Sequence, residues 1–202
     1  MLRMTLAVCR RGSRYAVAGL LSAILATISL AENLPEQQVD LESWRTLGSH
    51  VWRFDDLGAE AGPDTAKGML VTTVPYRDFH LSVEFWIEDG TNSGVFLRCQ
   101  EPLEFADINP EKCYEANIWD NHPNQDFRSG SIVRFGPPKS KVETLGRWNR
   151  YEIDVRGSQI TVTLNGEETA AIDDSSLASG YIALQYAGEG LLRFRNVRIE
   201  PY

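Results

Sequence analysis

The segment WNRYEIDVRGSQITVTLNG, residues 148–166, alternates apolar and polar side chains with a period of two. Tyr151, Ile153, Val155, Ile160, Val162 and Leu164 share one parity; Arg150, Glu152, Asp154, Arg156, Thr161 and Thr163 hold the other. Successive residues of a strand face opposite sides, so this period specifies an antiparallel pair with one face buried and one solvated. Gly157-Ser158 joins the two runs, and glycine at the first central position suits a type II′ turn. Asn165-Gly166 is a second tight-turn signal. Short runs of the same kind recur along the chain, separated by Gly, Pro, Asn and Asp. They predict strands near 50–54, 68–74, 79–88, 94–99, 113–119, 130–135, 148–156, 159–165, 180–187 and 191–200, with 173–178 as a short helical turn. Neither a sustained helical period nor an internal repeat is present. So many short strands predict an all-β sandwich or barrel.

The N-terminus has a different character. Arg3, Arg10, Arg11 and Arg14 precede the apolar run VAGLLSAILATISLA, and Ser29-Leu30-Ala31 is a small-x-small cleavage site. Residues 1–31 are therefore expected to be a signal peptide and 32–202 the mature domain, periplasmic or secreted. The apolar run falls short of the roughly 20 residues that span a bilayer, so no membrane association is expected after cleavage. The leader contains four arginines and no acid; sixteen basic and twenty-eight acidic residues remain, a net charge of −12. That balance argues against nucleic acid and anionic membranes as partners. Cys99 and Cys113 are the cysteines of the mature chain. In an oxidising compartment they read as a disulfide before a metal pair or a catalytic thiol, with two buried free thiols as the alternative.

A second set of strands carries an unusual outer parity. FHLSVEFWI sets Leu81, Val83, Phe85 and Ile87 against Ser82, Glu84 and Trp86. NSGVFLRC sets Val95 and Leu97 against Asn92, Phe96 and Arg98, and CYEANIWD sets Tyr114, Ala116 and Ile118 against Glu115, Asn117 and Trp119. GYIALQYAG sets Ile182, Leu184 and Tyr186 against Tyr181 and Gln185. The expectation is one shared face of carboxylate, guanidinium, amide and indole groups, the composition of a saccharide-binding surface. Ordinary solvent exposure, with pairs such as Glu84–Arg98 or Arg98–Glu115, is the plainer alternative.

Several pieces, in order, carry a family resemblance: Tyr76-Arg77-Asp78-Phe79 before LSVEFWI, Asn92-Ser93-Gly94-Val95-Phe96-Leu97-Arg98, and Tyr114-Glu115 to Trp119-Asp120. Gly130-Ser131-Ile132 with Pro137-Pro138, GRWNRYEIDVRGSQITVTLNG, GYIALQ and LRFRNVRI complete the set. Together they resemble the 3-keto-disaccharide hydrolase domain family (3-keto-glucoside 1,2-lyases and 3-keto-2-hydroxy-glucal hydratases). The loop between Cys99 and Cys113, Val133-Arg134 and NHPNQDFRS depart from that pattern. The resemblance implies a concanavalin A-like jelly-roll β-sandwich of two antiparallel sheets. It also implies cleavage of 3-keto-glycosides by C2 proton abstraction, elimination and hydration. On this view Glu115 or Glu84 is the base and Arg98 stabilises the oxyanion. Asn92, Asn117, Trp119, Trp86 and Gln185 would bind the saccharide.

Asp120, His122 and Asp126 form a candidate set for a divalent metal, although their spacing is no strong signature and such residues also make turns. His50 and His80 stand in no constellation and are expected at the surface or an edge. A non-catalytic carbohydrate-binding module would use the same face without a base. A laminarinase-type glycosidase needs paired carboxylates on one strand, and the nearest string, Glu152-Ile153-Asp154-Val155-Arg156, ends in arginine.

Overall fold

The computed structural model describes residues 38–49, 52–56, 58–63, 66–101 and 104–202. The signal peptide expected over 1–31, and His50, lie outside the described residues. Within them the chain forms strands Arg45–Gly48 (β1), Arg53–Asp55 (β2), Gly58–Ala61 (β3), Gly68–Val71 (β4), Phe79–Ile87 (β5) and Ser93–Cys99 (β6). Tyr114–Ile118 (β7), Trp148–Arg156 (β8), Gln159–Leu164 (β9), Glu167–Asp173 (β10), Tyr181–Tyr186 (β11) and Leu192–Pro201 (β12) follow. They make two antiparallel sheets, one of five strands in the order β1-β4-β11-β6-β7 and one of seven in the order β10-β9-β8-β5-β12-β3-β2. This is the all-β sandwich that the alternation predicts.

The inward parity of both sheets makes the main core. Leu81, Val83, Phe85, Ile87, Tyr151, Ile153 and Val155 pack from the larger sheet against Val95, Leu97, Tyr114, Ala116, Ile182 and Leu184 from the smaller. Each fully buried aliphatic or aromatic side chain contributes about 1.5–3 kcal/mol. The predicted turns are present: Gly157 has φ +58, and Asn165 and Gly166 have φ +53 and +85, as II′ and I′ turns require. Tyr151 ties the layers together, its hydroxyl donating to the Asn117 carbonyl and accepting from Gly130 N–H.

Local chemistry overturns two expected elements. The run 130–135 is a turn beside β7: Ile132 bridges Ala116 and Gly136, and Gly130 and Arg134 have φ +92 and +70, which ends any extension. The helical turn at 173–178 does not form, because Asp174 Oδ1 accepts from Ser176 N–H and from the Tyr114 hydroxyl. A side-chain acceptor here replaces helical bonding. The short apolar runs of the sequence give no sign of β1, β3 and β10. Small residues hide β3, and a bulge between Glu168 and Ala170 breaks the alternation of β10.

The largest correction concerns β5. It lies in the seven-stranded sheet between β8 and β12, so its outer parity faces away from the outer residues of β6, β7 and β11. The expected single face is two faces on opposite sides of the sandwich.

Candidate active site

Three strands build the floor of the site. Gly94 of β6 pairs with Asn117 of β7 and Gln185 of β11, and Phe96 pairs with Glu115 and Ala183. The outward parity therefore brings Glu115, Gln185, Phe96 and Asn117 to one patch, with Gly94 bare at its centre. A Cβ on Gly94 would stand 2.7 Å from Glu115 Oε1. A side chain here would push the carboxyl that lies over the glycine out of its place.

Loops raise the walls of a hollow of about 410 Å³ above this floor. Ile108 and Pro110 come from the loop between β6 and β7, Trp119, His122 and Phe127 from the loop after β7, and Val133 and Arg134 from the turn beside it. Cys99 and Cys113 are bonded to each other and pack with Met69, Val71, Phe96, Ile108 and Ala183 in a second apolar cluster. The closed loop is thereby seated on the outer face of the smaller sheet. His122 contacts the Trp119 ring edge-on at 4.5 Å and Phe127 at 5.6 Å. Its Nδ1 lies within hydrogen-bonding distance of both the carbonyl oxygen and the backbone nitrogen of Asn124, at 2.8 and 3.0 Å.

Glu115 is 7 % exposed. Burial pushes its pKa up to about 8, with the charge of Arg134 opposing. A carboxyl held neutral at neutral pH in a lined hollow is suited to proton transfer. The amides of Asn92 and Gln185 also line the hollow. Asn117 lines it too, but its amide is engaged, donating to the Phe127 carbonyl and accepting from Ile118 N–H. It holds the aromatic wall in place.

Three predicted site residues lie elsewhere. Glu84 and Trp86 are on the outer face of β5, where Glu84 pairs with Arg195 at 2.6 Å and Arg193 lies 5.2 Å from the Trp86 ring centre. Arg98 is wholly buried. At φ +54 it leaves the alternation at a bulge between Tyr181 and Ala183, which turns its side chain from the outer face. Nε and Nη2 donate to the Arg77 carbonyl at 2.9 and 2.6 Å. Nη1 donates to the carbonyls of Gly157 and Leu177, both at 2.8 Å, and Nη2 also to Asp78 Oδ1 at 3.1 Å. All five guanidinium N–H groups are used within the protein. The proposed pairs Glu84–Arg98 and Arg98–Glu115 are both absent.

The candidate metal set does not converge either. Asp120 accepts from Thr144 N–H at 2.7 Å and Thr144 Oγ1 at 2.8 Å, with Arg128 at 3.8 Å. Asp126 is exposed. Among the described residues no three His, Cys, Asp or Glu side chains group to hold a metal ion, so the residues present do not fit one. His80 does have partners, Glu152 at 2.7 Å and Asp154 at 3.4 Å, on the outer face of the larger sheet. The sequence gives no sign that Ile108, Pro110 and Arg134 are wall residues, because they lie on no strand and only contacts across loops place them.

Residues 32–200 match the model of a family described as the 3-keto-alpha-glucoside-1,2-lyase-like domain. Two crystal structures of proteins from Parabacteroides distasonis, both described as candidate glycosyl hydrolases, are similar. One is 25% identical, with TM-score 0.66, 78% of this chain and 93% of that one covered. The other is 19% identical, with TM-score 0.66 and coverage of 81% and 90%. The carbohydrate-binding module CBM66 of Bacillus subtilis shares the fold at 17% identity, TM-score 0.59 and coverage of 78% and 94%. No curated protein is significantly similar to this chain.

Proposed function

From the premise that this chain belongs to the 3-keto-alpha-glucoside-1,2-lyase-like domain family, we propose that it cleaves 3-keto-glycosides, with Glu115 as the proton-transfer group. Family and fold support a carbohydrate-active protein; the observation that carries the mechanism is the buried carboxyl of Glu115 over Gly94, at the floor of an aromatic-walled hollow.

A C3 ketone acidifies the C2 proton of a glycoside. Glu115, as carboxylate, takes that proton; the C–H electron pair forms the C2=C3 bond and the carbonyl pair moves onto oxygen. Collapse of this enolate expels the C1 substituent, whose oxygen takes up a proton, and leaves a keto-glucal. Addition of water gives the free keto sugar, so the net change is hydrolysis. Trp119 offers a ring against the C–H face of the sugar, while Asn92 and Gln185 offer amides to its hydroxyls. Glu115 on β7 and Gln185 on β11 are fixed on strands, which hold their groups with the precision that proton transfer demands.

The test is incubation with a C3-oxidised disaccharide beside its unoxidised parent, with and without chelator. Release of product from the oxidised substrate alone, lost in Glu115→Gln, is the expected result. Unchanged turnover in that variant removes the mechanism. The same aromatic wall would serve a non-catalytic sugar-binding module, which would bind the saccharide and consume none. We also propose export of the mature domain, on the strength of the leader composition. A mature N-terminus at Glu32 in the exported protein would bear this out, and one at Met1 would refute it.

A further inference from the structure

We propose that Arg134 receives the negative oxygen formed when Glu115 takes its proton, and that Glu111 holds the guanidinium at the rim until then. This deepens the proton-transfer proposal for Glu115 and rests on it. An enolate forming in a half-enclosed hollow needs a nearby positive group, and Arg98 is unable to serve. Among the described residues lining the hollow, Arg134 alone carries a permanent positive charge.

The backbone fixes its place. Val133 N–H donates to the Glu115 carbonyl at 2.9 Å, and Ile132 and Gly136 exchange two backbone bonds of 2.8 Å around the turn. Arg134 itself has φ +70, a left-handed conformation that costs a non-glycine residue about 1 kcal/mol or more. Its side chain is 54% exposed and meets Glu111, 72% exposed, at 3.1 Å. An exposed pair of this kind contributes about 0–1 kcal/mol, so it yields readily to a better anion. Glu111 belongs to the disulfide-closed loop and follows Pro110 of the wall, so the pair links that loop to the turn that carries Arg134.

The charge bookkeeping is consistent. Proton transfer moves one negative charge from the carboxylate to the substrate oxygen, and a cation at the rim attracts it in both states. The other titratable groups facing Glu115 are His122, from the loop after β7, and Tyr151, whose ring lies beneath the floor.

Ascorbate, a stable enediolate monoanion, tests this without turnover. At pH 6 the carboxyl of Glu115 is protonated, so bound ascorbate beside it reproduces the charge distribution after proton abstraction. Calorimetry on the mature chain should show binding that is at least tenfold weaker in Arg134→Gln. Arg134→Lys should recover part of it, and Glu111→Gln should bind as well as wild type or better. Glucose, the neutral control, should bind all variants alike. Affinity for ascorbate should also fall above about pH 8, when Glu115 becomes charged. Absence of ascorbate binding in the wild type, or equal binding by Arg134→Gln, overturns the assignment. Failure of the underlying chemistry is separate: it appears as unchanged turnover of a 3-keto-glycoside in Glu115→Gln.

Discussion

Glu115 is held where its charge is unwelcome, and this has two measurable consequences of opposite benefit. As a base it must be deprotonated, so kcat/KM should rise about tenfold per pH unit below its pKa and level above about pH 8. For stability the sign reverses. The folded pKa is raised above the unfolded value of 4.5, so the folded state binds the extra proton between the two. Stability is unaffected below about pH 4.5 and falls by up to about 1.4 kcal/mol per pH unit as pH rises towards 8. Glu115→Gln, which keeps the shape and removes the charge, should therefore be inactive yet melt higher than wild type at pH 8, with little difference at pH 4. Equal melting temperatures at pH 8 would mean that the carboxyl is not desolvated. Gly94→Ala tests the same geometry from below, because the new Cβ meets the carboxyl at 2.7 Å. It should lower kcat by tenfold or more while thermal unfolding remains cooperative.

At the scale of elements, the hollow depends on two staples that do no chemistry. The Cys99–Cys113 bond closes the loop whose Ile108 and Pro110 form one wall. Loop closure of this length is worth about 3 kcal/mol. A Cys99→Ser/Cys113→Ser double variant should lose about that much in denaturant titration and show a raised KM, since the wall is no longer seated. Arg98 is the other staple: it gathers the segment before β5, the β8–β9 turn and the segment before β11. Arg98→Ala removes the donor to three backbone carbonyls and opens a void where a wholly buried side chain stood, a loss of about 3 kcal/mol or more. Unfolding curves should show this, and kinetics at a temperature where the variant is folded should be near normal. A large selective loss of kcat would return Arg98 to the site.

Across the whole molecule, the sandwich assigns different work to its two outer faces. The outer face of the larger sheet carries paired charges and arginines over indoles, Arg193 with Trp86 and Arg195 with Trp148. Glu84→Gln breaks one surface ion pair, so it should cost about 0–1 kcal/mol and leave turnover of a 3-keto-glycoside unchanged. Loss of activity there would move the site to the other sheet. Alternation alone determines how far such a division can be foreseen. It is a local property, and it correctly separated Leu81, Val83, Phe85 and Ile87, which join the main core, from Ser82, Glu84 and Trp86, which do not, and likewise Tyr114, Ala116 and Ile118 from Glu115, Asn117 and Trp119. The strand-rich architecture and the outward parity of Glu115 and Gln185 follow from the same period. Sheet membership does not, because inward and outward parity look alike in either layer; only long-range pairing sent β5 to the opposite side. Nor does parity survive a bulge, and one left-handed residue took Arg98 out of the face it was counted in. Arg134 reaches the hollow for the converse reason. It lies in a turn without a strand period, and a hydrogen bond to β7 brings it to the hollow of Glu115, whose carboxyl tertiary burial keeps neutral at neutral pH.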